Sequence, residues 1–189
     1  MPHHFDNAEE WARTFEAADR DAWQKPDEVI AALKLAPDAV VADIGAATGY
    51  FPVRIARAVP QGRVYGVDIE PSMVEYLSAR ATKEGLENLH AVLGTPDDPK
   101  LPESVDLVLV VDTYHHIENR PAYFQRLGSQ LKPGGRLAIV DFNKGQPMGP
   151  PEEMRIAPEQ LKSELAQAGY RLREEHAFLP NQYFLVFGG

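Results

Sequence analysis

The sequence predicts a doubly wound α/β fold: a mostly parallel seven-stranded sheet with an antiparallel C-terminal strand, preceded by N-terminal helices. Three observations carry this reading. From residue 40 onward, short β-branched runs alternate with segments of helical periodicity, the rhythm of βαβ units around a parallel sheet buried on both faces. The last two strand-like runs are separated only by a short segment around Pro180-Asn181; with no room for a crossover helix they must be antiparallel. The chain has 189 residues, with 14 Gly and 16 Pro spread as punctuation and no internal repeat, enough for one domain with a sizeable core.

Taken in order, the first 36 residues read as helical. Trp11, Phe15 and Ala18 fall at helical spacing, and Lys25-Pro26-Asp27-Glu28 opens a second segment carrying Val29, Ile30 and Leu33, since proline and acidic residues suit a first helical turn. We take residues 1–36 as an N-terminal helical arm and 37–189 as the domain proper. Its strands are Val40 to Ile44, Arg63 to Asp68, Leu89 to Leu93, Val105 to Val111 and Arg136 to Val140, with helices near residues 50–59, 72–84 and 121–131 between them. A helix from Pro158 to Ala168, whose Leu161 and Leu165 should face the sheet, stops at Gly169, and strands follow at Tyr170 to Glu174 and Gln182 to Phe187. In such a sheet, ligands gather beyond the carboxyl ends of the parallel strands.

Composition removes several function classes. Nineteen Lys and Arg against 28 Asp and Glu leave a net charge of −9, which repels phosphate backbones, so nucleic acid is not expected as a partner. The absence of cysteine excludes disulfides, Cys-ligated zinc, iron–sulfur clusters and thiol nucleophiles. Apolar runs such as Leu107 to Val111 are far shorter than the ~18 residues a spanning helix needs, so no membrane partner is expected. Met1-Pro2-His3-His4-Phe5-Asp6 lacks the cationic start and apolar block of a signal peptide, so the expected location is cytoplasmic.

The informative residues stand at strand ends. Asp43-Ile44-Gly45-Ala46-Ala47-Thr48-Gly49-Tyr50 follows the first strand and opens a helix. Gly45 and Gly49 let backbone approach a ligand, although chain reversal alone also asks for glycine there. Asp68, 19 residues past Gly49, ends the next strand, where a carboxylate accepts both hydroxyls of a ribose. Glu70 is nearby and expected to face away. After the third strand, Gly94-Thr95-Pro96-Asp97-Asp98 brings acidic side chains to the rim, suited to accept from the exocyclic amine of adenine. Three consecutive strand ends thus describe an adenosine. A dinucleotide fingerprint asks for glycine at three positions held here by Gly45, Ala47 and Tyr50. The bulky tyrosine, with no basic residue nearby, disfavours a diphosphate and with it an NAD-dependent oxidoreductase.

Four runs together, Val41 to Gly49, Gly66-Val67-Asp68-Ile69-Glu70-Pro71-Ser72-Met73, Val105-Asp106-Leu107-Val108-Leu109 and Leu131-Lys132-Pro133-Gly134-Gly135-Arg136-Leu137, are similar to the motifs of class I S-adenosylmethionine-dependent methyltransferases, in their small-molecule branch. The resemblance covers residues 40–187 and implies a Rossmann-like fold, S-adenosylmethionine as cofactor and methyl transfer. It further implies that Asp43, Gly45 and Gly49, with Ala47 and Tyr50 in the same turn, border the methionine part. Asp68 would hold the ribose, Ile69 and Met73 would wall the adenine, and Asp97 or Asp98 would read its amine beside Gly94 and Thr95. Asp112, at the end of the fourth strand, would complete the cofactor side. Such families usually carry glycine where Ala47 stands; the extra methyl crowds the turn and weakens binding.

Methyl transfer from a sulfonium needs nucleophile and methyl held in line, plus a base if the acceptor carries a proton. Asp112-Thr113-Tyr114-His115-His116 stands where the resemblance places the methyl-transfer site, so His115 or His116 is the candidate base; the alternative is that they only cap the turn or shape the pocket. Asp112, Asp141 and Asn143 offer oxygen ligands for magnesium, as in catechol-type O-methyltransferases, but such residues are also ordinary turn and helix caps, and that reading leads. His3 and His4 would add ligands only if the arm folds over the pocket. No Asp/Asn-Pro-Pro-Tyr run follows the fourth strand, as in amino-methyltransferases of nucleic-acid bases. Arsenite methyltransferases are similar in motif order but depend on cysteines. Quinone-type C-methyltransferases and small O- or N-methyltransferases remain. The expected partner is a small-molecule acceptor methylated on oxygen, nitrogen, sulfur or carbon, and the expected state a monomer or homodimer. The acceptor pocket is expected under Trp11, Phe15 and Trp23 and a Gly- and Pro-rich lid, Asn143 to Pro151. Arg155 would meet an anionic acceptor or pair with Glu152 or Glu159. A non-catalytic adenosyl-binding module is the rival from another class.

Overall fold

Strands form where aliphatic and β-branched side chains stand at successive positions, because a strand buried on both faces has no polar side to keep. In the computed structural model, which describes residues 7–189, they are β1 (Val40–Ile44), β2 (Arg63–Asp68), β3 (Leu89–Leu93), β4 (Val105–Val111), β5 (Leu131–Phe142), β6 (Arg171–His176) and β7 (Gln182–Gly188). They join into one sheet in the order β3-β2-β1-β4-β5-β7-β6. β1 to β5 are parallel, and β7 runs antiparallel to both β5 and β6.

Alternation along each strand feeds two cores. Val40, Ala42, Ile44, Val108, Val110, Leu137 and Ile139 face one, closed by α6 (Arg120–Gly128) and α7 (Pro158–Gln167) through Phe124, Leu127, Leu161 and Leu165. Val41, Leu107, Leu109, Ala138 and Val140 face the other, closed by α3 (Pro26–Leu33), α4 (Tyr50–Ala58) and α5 (Pro71–Lys83) through Leu33, Ile55 and Leu77. The chain leaves β1 toward β2 and β3, then returns past β1 to β4. The carboxyl ends of β1 and β4 therefore diverge in connection and leave a crevice between them.

β1 to β4 occupy the predicted residues. β5 starts earlier than expected: Leu131 pairs with Val105 across a register shift, and Pro133-Gly134-Gly135 lies within the strand with Gly134 at φ +77°. α6 ends at Gly128, short of the expected residue 131. The arm is divided into α1 (Ala8–Phe15), α2 (Arg20–Gln24) and α3. The break between the last two is Lys25, left-handed at φ +47°, because a residue ahead of proline is sterically pushed out of the helical region. Among the described residues no helix is long and apolar enough to cross a membrane. His3 and His4 lie outside the described residues.

Candidate functional site

The turn after β1 is built from left-handed backbone. Gly45, Ala47 and Gly49 have φ of +79°, +49° and +100°, and the N–H groups of Gly45 and Ala46 both donate to the Val67 carbonyl at 2.9 Å. A Cβ at Gly45 would come within 2.1 Å of Thr113 Oγ1, and one at Gly49 within 2.6 Å of Leu77 Cδ1, so packing within the protein requires these glycines whatever the ligand. Ala47 adopts its conformation without that freedom, at about 1–2 kcal/mol. Its N–H is the reason the turn closes as it does, donating to Asp68 Oδ2 at 2.9 Å.

Asp68 braces two turns, since its Oδ1 also accepts from the Glu70 N–H at 3.1 Å. Burial pushes its carboxyl up, and the N–H groups of Glu70, Ala47 and Ile69 oppose that. Ile69 and Leu93, at the ends of β2 and β3, are each 51% exposed, a display of aliphatic surface beside the Asp68 carboxylate. Met73 is buried. The Gly94 N–H donates to the Asp68 carbonyl at 2.9 Å. Asp97 accepts from the Thr95 hydroxyl at 2.7 Å, and Asp98 lies 3.6 Å from Lys100 and 3.8 Å from Arg126. Both carboxylates thus have local partners already.

The arm lies over this crevice through polar contacts. Thr48 donates to Glu16 at 3.0 Å, Arg80 reaches Glu16 at 2.9 Å, and the Tyr50 hydroxyl donates to Asp21. Arg20 donates to the Phe15 carbonyl at 2.8 Å and to Gln24 at 3.2 Å, and stands 3.5 Å from Asp112. Gln24 donates to Gln182 at 2.5 Å, and Gln182 donates to Asp112. These four side chains close a ring that ties α2 to the ends of β4 and β7. The buried Nε of Arg20 has no partner among the described residues. Asp43 is buried, and desolvation holds its carboxyl well above the usual range while Arg20 pulls it down. The expectation of no basic residue near the turn is corrected: the guanidiniums of Arg20 and Arg54 lie 3.9 and 4.2 Å from the Tyr50 ring centroid. Arg54 is one turn along α4 and Arg20 crosses from the arm. Tyr50 and these partnered cations occupy the helix start where a diphosphate would sit.

After β4, Asp112 turns left-handed at φ +57° and leads into one 3₁₀ turn, Tyr114–His116. Tyr114 is buried and donates to Glu164 at 2.8 Å; Arg120 in turn holds Glu164 at 2.5 and 2.9 Å. His115 goes the other way: its Nδ1 lies 2.9 and 3.0 Å from the two oxygens of Asp141, with both side chains only 3% exposed. The exposed His116 packs its ring 4.1 Å from that of His115.

Asp112 and Asp141, the lesser metal candidates of the sequence, have partners within the protein. Asp141 also accepts the N–H groups of Phe142 at 2.8 Å and His115 at 3.3 Å, and Asp112 is taken by Gln182 and Arg20. These partners take up part of the acceptor capacity a cation would draw on. Among the described residues no three His, Asp or Glu side chains gather as a metal set. For Arg155 the acceptor reading is corrected and the pairing with Glu152 is found, at 3.6 Å. Arg155 is 7% exposed and donates to the carbonyls of Asn143, Gln146, Met148 and Pro150 at 2.8–3.0 Å, so it holds the lid segment and is not offered to an acceptor. Trp23 packs on Phe142 at 5.6 Å, and Trp11 stacks on Phe15 at 5.4 Å. Arg20, Gln24, Gln182 and Leu93 were not singled out by the sequence. Leu93 alone had a signal, as the aliphatic residue ending a strand next to a site.

The chain belongs to a methyltransferase family, whose model, described as a methyltransferase domain, matches residues 35–178. An arsenite methyltransferase of Halobacterium salinarum is 30% identical over 136 residues, 71% of this chain and 34% of the relative. An aklanonic acid methyltransferase of a Streptomyces species is 32% identical over 132 residues, 67% of this chain and 60% of the relative. The chain therefore spans between a third and three fifths of these relatives. The crystal structure of a SAM-dependent methyltransferase from Aquifex aeolicus has the same fold, with a TM-score of 0.87 at 22% identity, covering 94% of this chain and 96% of that one.

Proposed function

We propose that this protein transfers a methyl group from S-adenosylmethionine to a small-molecule acceptor, with His115 as general base. The observation that carries the reading is a set of three carboxylates at neighbouring strand ends, Asp43 buried and Asp68 and Asp112 part-buried, next to the exposed aliphatic surface of Ile69 and Leu93. This donor set fits a cation that ends in a hydroxylated, flat ring system. Asp43, Asp112 and the turn from Gly45 to Gly49 would hold its methionine end, and the unpartnered Nε of Arg20 would meet its carboxylate. Asp68 would hold the ribose, and Ile69, Met73 and Leu93 the adenine, with Gly94 and Thr95 at the rim. When bound, the cofactor supplies an electrophilic methyl group on a sulfonium. His115 would take the acceptor proton, and the arm up to residue 36 would exclude water as the cover of the domain that follows. Without cysteine the chain has no soft thiolate to bind trivalent arsenic, which favours oxygen, nitrogen or carbon acceptors.

The test has two stages. S-adenosylhomocysteine at ~100 times its Kd should add about 2.7 kcal/mol of stability, and this gain should vanish in Asp68→Asn. Incubation with S-adenosylmethionine and a panel of phenols, primary amines and carboxylic acids should then give products heavier by one methyl group. No stabilisation refutes the reading, and stabilisation without any methylated product, in the panel or in cell extract, leaves a binding module in its place.

A further inference from the structure

We infer that Asp141 is a positioning residue that holds His115 as its Nδ1–H tautomer, leaving Nε2 as the base for an acceptor whose O–H or N–H must lose its proton as the methyl arrives. The inference rests on the methyl-transfer reading above. Three contacts restrain the ring. Nδ1 sits within 3.0 Å of both Asp141 oxygens, the backbone N–H of the same histidine reaches Oδ2 at 3.3 Å, and His116 packs against the ring at 4.1 Å. An ionised carboxylate only accepts, so the nitrogen facing it carries the proton. Nε2 has no hydrogen bond from the described residues and is not among the fully buried polar atoms left unpartnered, so it is the ring nitrogen left for an acceptor. Tyr114, anchored on Glu164 and Arg120, fixes the neighbouring position of the turn from below.

In the transfer, the acceptor oxygen or nitrogen forms its bond to the methyl carbon while its proton passes to Nε2. The carbon–sulfur bond breaks with its electron pair going to sulfur. Positive charge thereby moves from the sulfonium to the imidazolium, where the Asp141 carboxylate offsets it in a site nearly closed to water.

The hydrogen bonds of Asp141 predict what Asp141→Asn does. Oδ1 takes the Phe142 N–H at 2.8 Å, a better bond than the 3.3 Å contact of Oδ2 with the His115 N–H. The asparagine oxygen should therefore keep the Oδ1 place and its NH₂ should fall at Oδ2, 2.9 Å from Nδ1. An NH₂ can only donate, so at the shorter of the two distances it favours the Nε2–H tautomer over an Nδ1–H that would keep only the oxygen at 3.0 Å, and the base is lost from most of the molecules.

The experiment is a long-range ¹H–¹⁵N correlation spectrum of the histidine rings at alkaline pH. His115 is assigned by its loss in His115→Gln, and Asp141→Asn is compared with the wild type. The expected result is a proton on Nδ1 in the wild type and on Nε2 in the variant. S-adenosylhomocysteine should bind both equally by calorimetry. On whichever panel compound the wild type methylates, kcat should fall on the order of 10²–10⁴-fold with KM unchanged. A wild-type His115 protonated on Nε2 overturns the inference, and so does full turnover by a variant whose tautomer has reversed. If Asp141→Asn does not fold, the wild-type spectrum alone decides. Failure of the parent reading looks different: no homocysteine binding or no methylated product, whatever the tautomer.

Discussion

The segment from Asn143 to Pro151 is wound around one cation, which makes Arg155 the sharpest place to perturb the lid. Four carbonyls, of Asn143, Gln146, Met148 and Pro150, converge on its guanidinium, and Glu152, 3.6 Å from that group, also accepts the Gly145 N–H. Hydrogen bonds from a charged donor contribute about 1.5–3 kcal/mol each. Four would sum to several times the usual effect of one substitution, but the loop is largely exposed, so its carbonyls regain water once it opens. Local opening therefore caps the cost. We expect Arg155→Ala to lose about 3 kcal/mol, or roughly 6–12 °C in Tm for a chain of this size. Arg155→Lys should lose nearly as much, because one ammonium cannot reproduce the planar fork. Hydrogen exchange should accelerate across residues 143–151 and remain slow in β4 and β5. Unchanged exchange in the loop, with Tm within about a degree of wild type, would refute the reasoning.

Three further predictions follow from the strand ends. Burial pushes the Asp112 carboxyl up to about 6, above its unfolded value of about 3.9. Its contribution to stability is therefore complete below the unfolded value and lost as pH rises through 6. Because a quarter of the side chain is exposed, we discount the two-unit shift to about 2 kcal/mol. In urea titrations Asp112→Asn should match the wild type at acid pH and exceed it at neutral pH; a constant difference across pH would count against this. Ala47→Gly should relieve the left-handed strain at φ +49° and, after the added freedom of the unfolded glycine, gain at most about 1 kcal/mol, whereas a clear loss in denaturant midpoint would contradict it. Arg20→Ala should weaken S-adenosylhomocysteine binding about tenfold or more by calorimetry, since an unmet charged donor contributes about 1.5–3 kcal/mol; unchanged affinity would remove Arg20 from the site.

What the sequence determined by itself is what depends on neighbours along the chain. Continuous β-branched runs, the mark of burial on both faces, read β1 to β4 to the residue, and a spacing of four along a helix placed Leu161 and Leu165 toward the sheet. The turn from Asp43 to Tyr50 was legible because left-handed backbone selects glycine locally. Strand bounds failed at β5, where Pro133 and two glycines suggest a turn and yet the chain continues pairing with β4 through a register shift.

Only the tertiary structure decided which polar groups meet. Arg20 and Asp112 are 92 residues apart, and Gln24 and Gln182 are 158 apart; nothing in either local sequence marks the partner. Asp141 read as a turn cap or, less well, as a metal ligand; only the β4–β5 register brings His115 against it. Arg155 read as exposed until the loop was seen to close around it. Side-chain periodicity is a property of one strand or helix, whereas the pairing of charges at strand ends is set by strand order and register, which packing of the whole sheet selects.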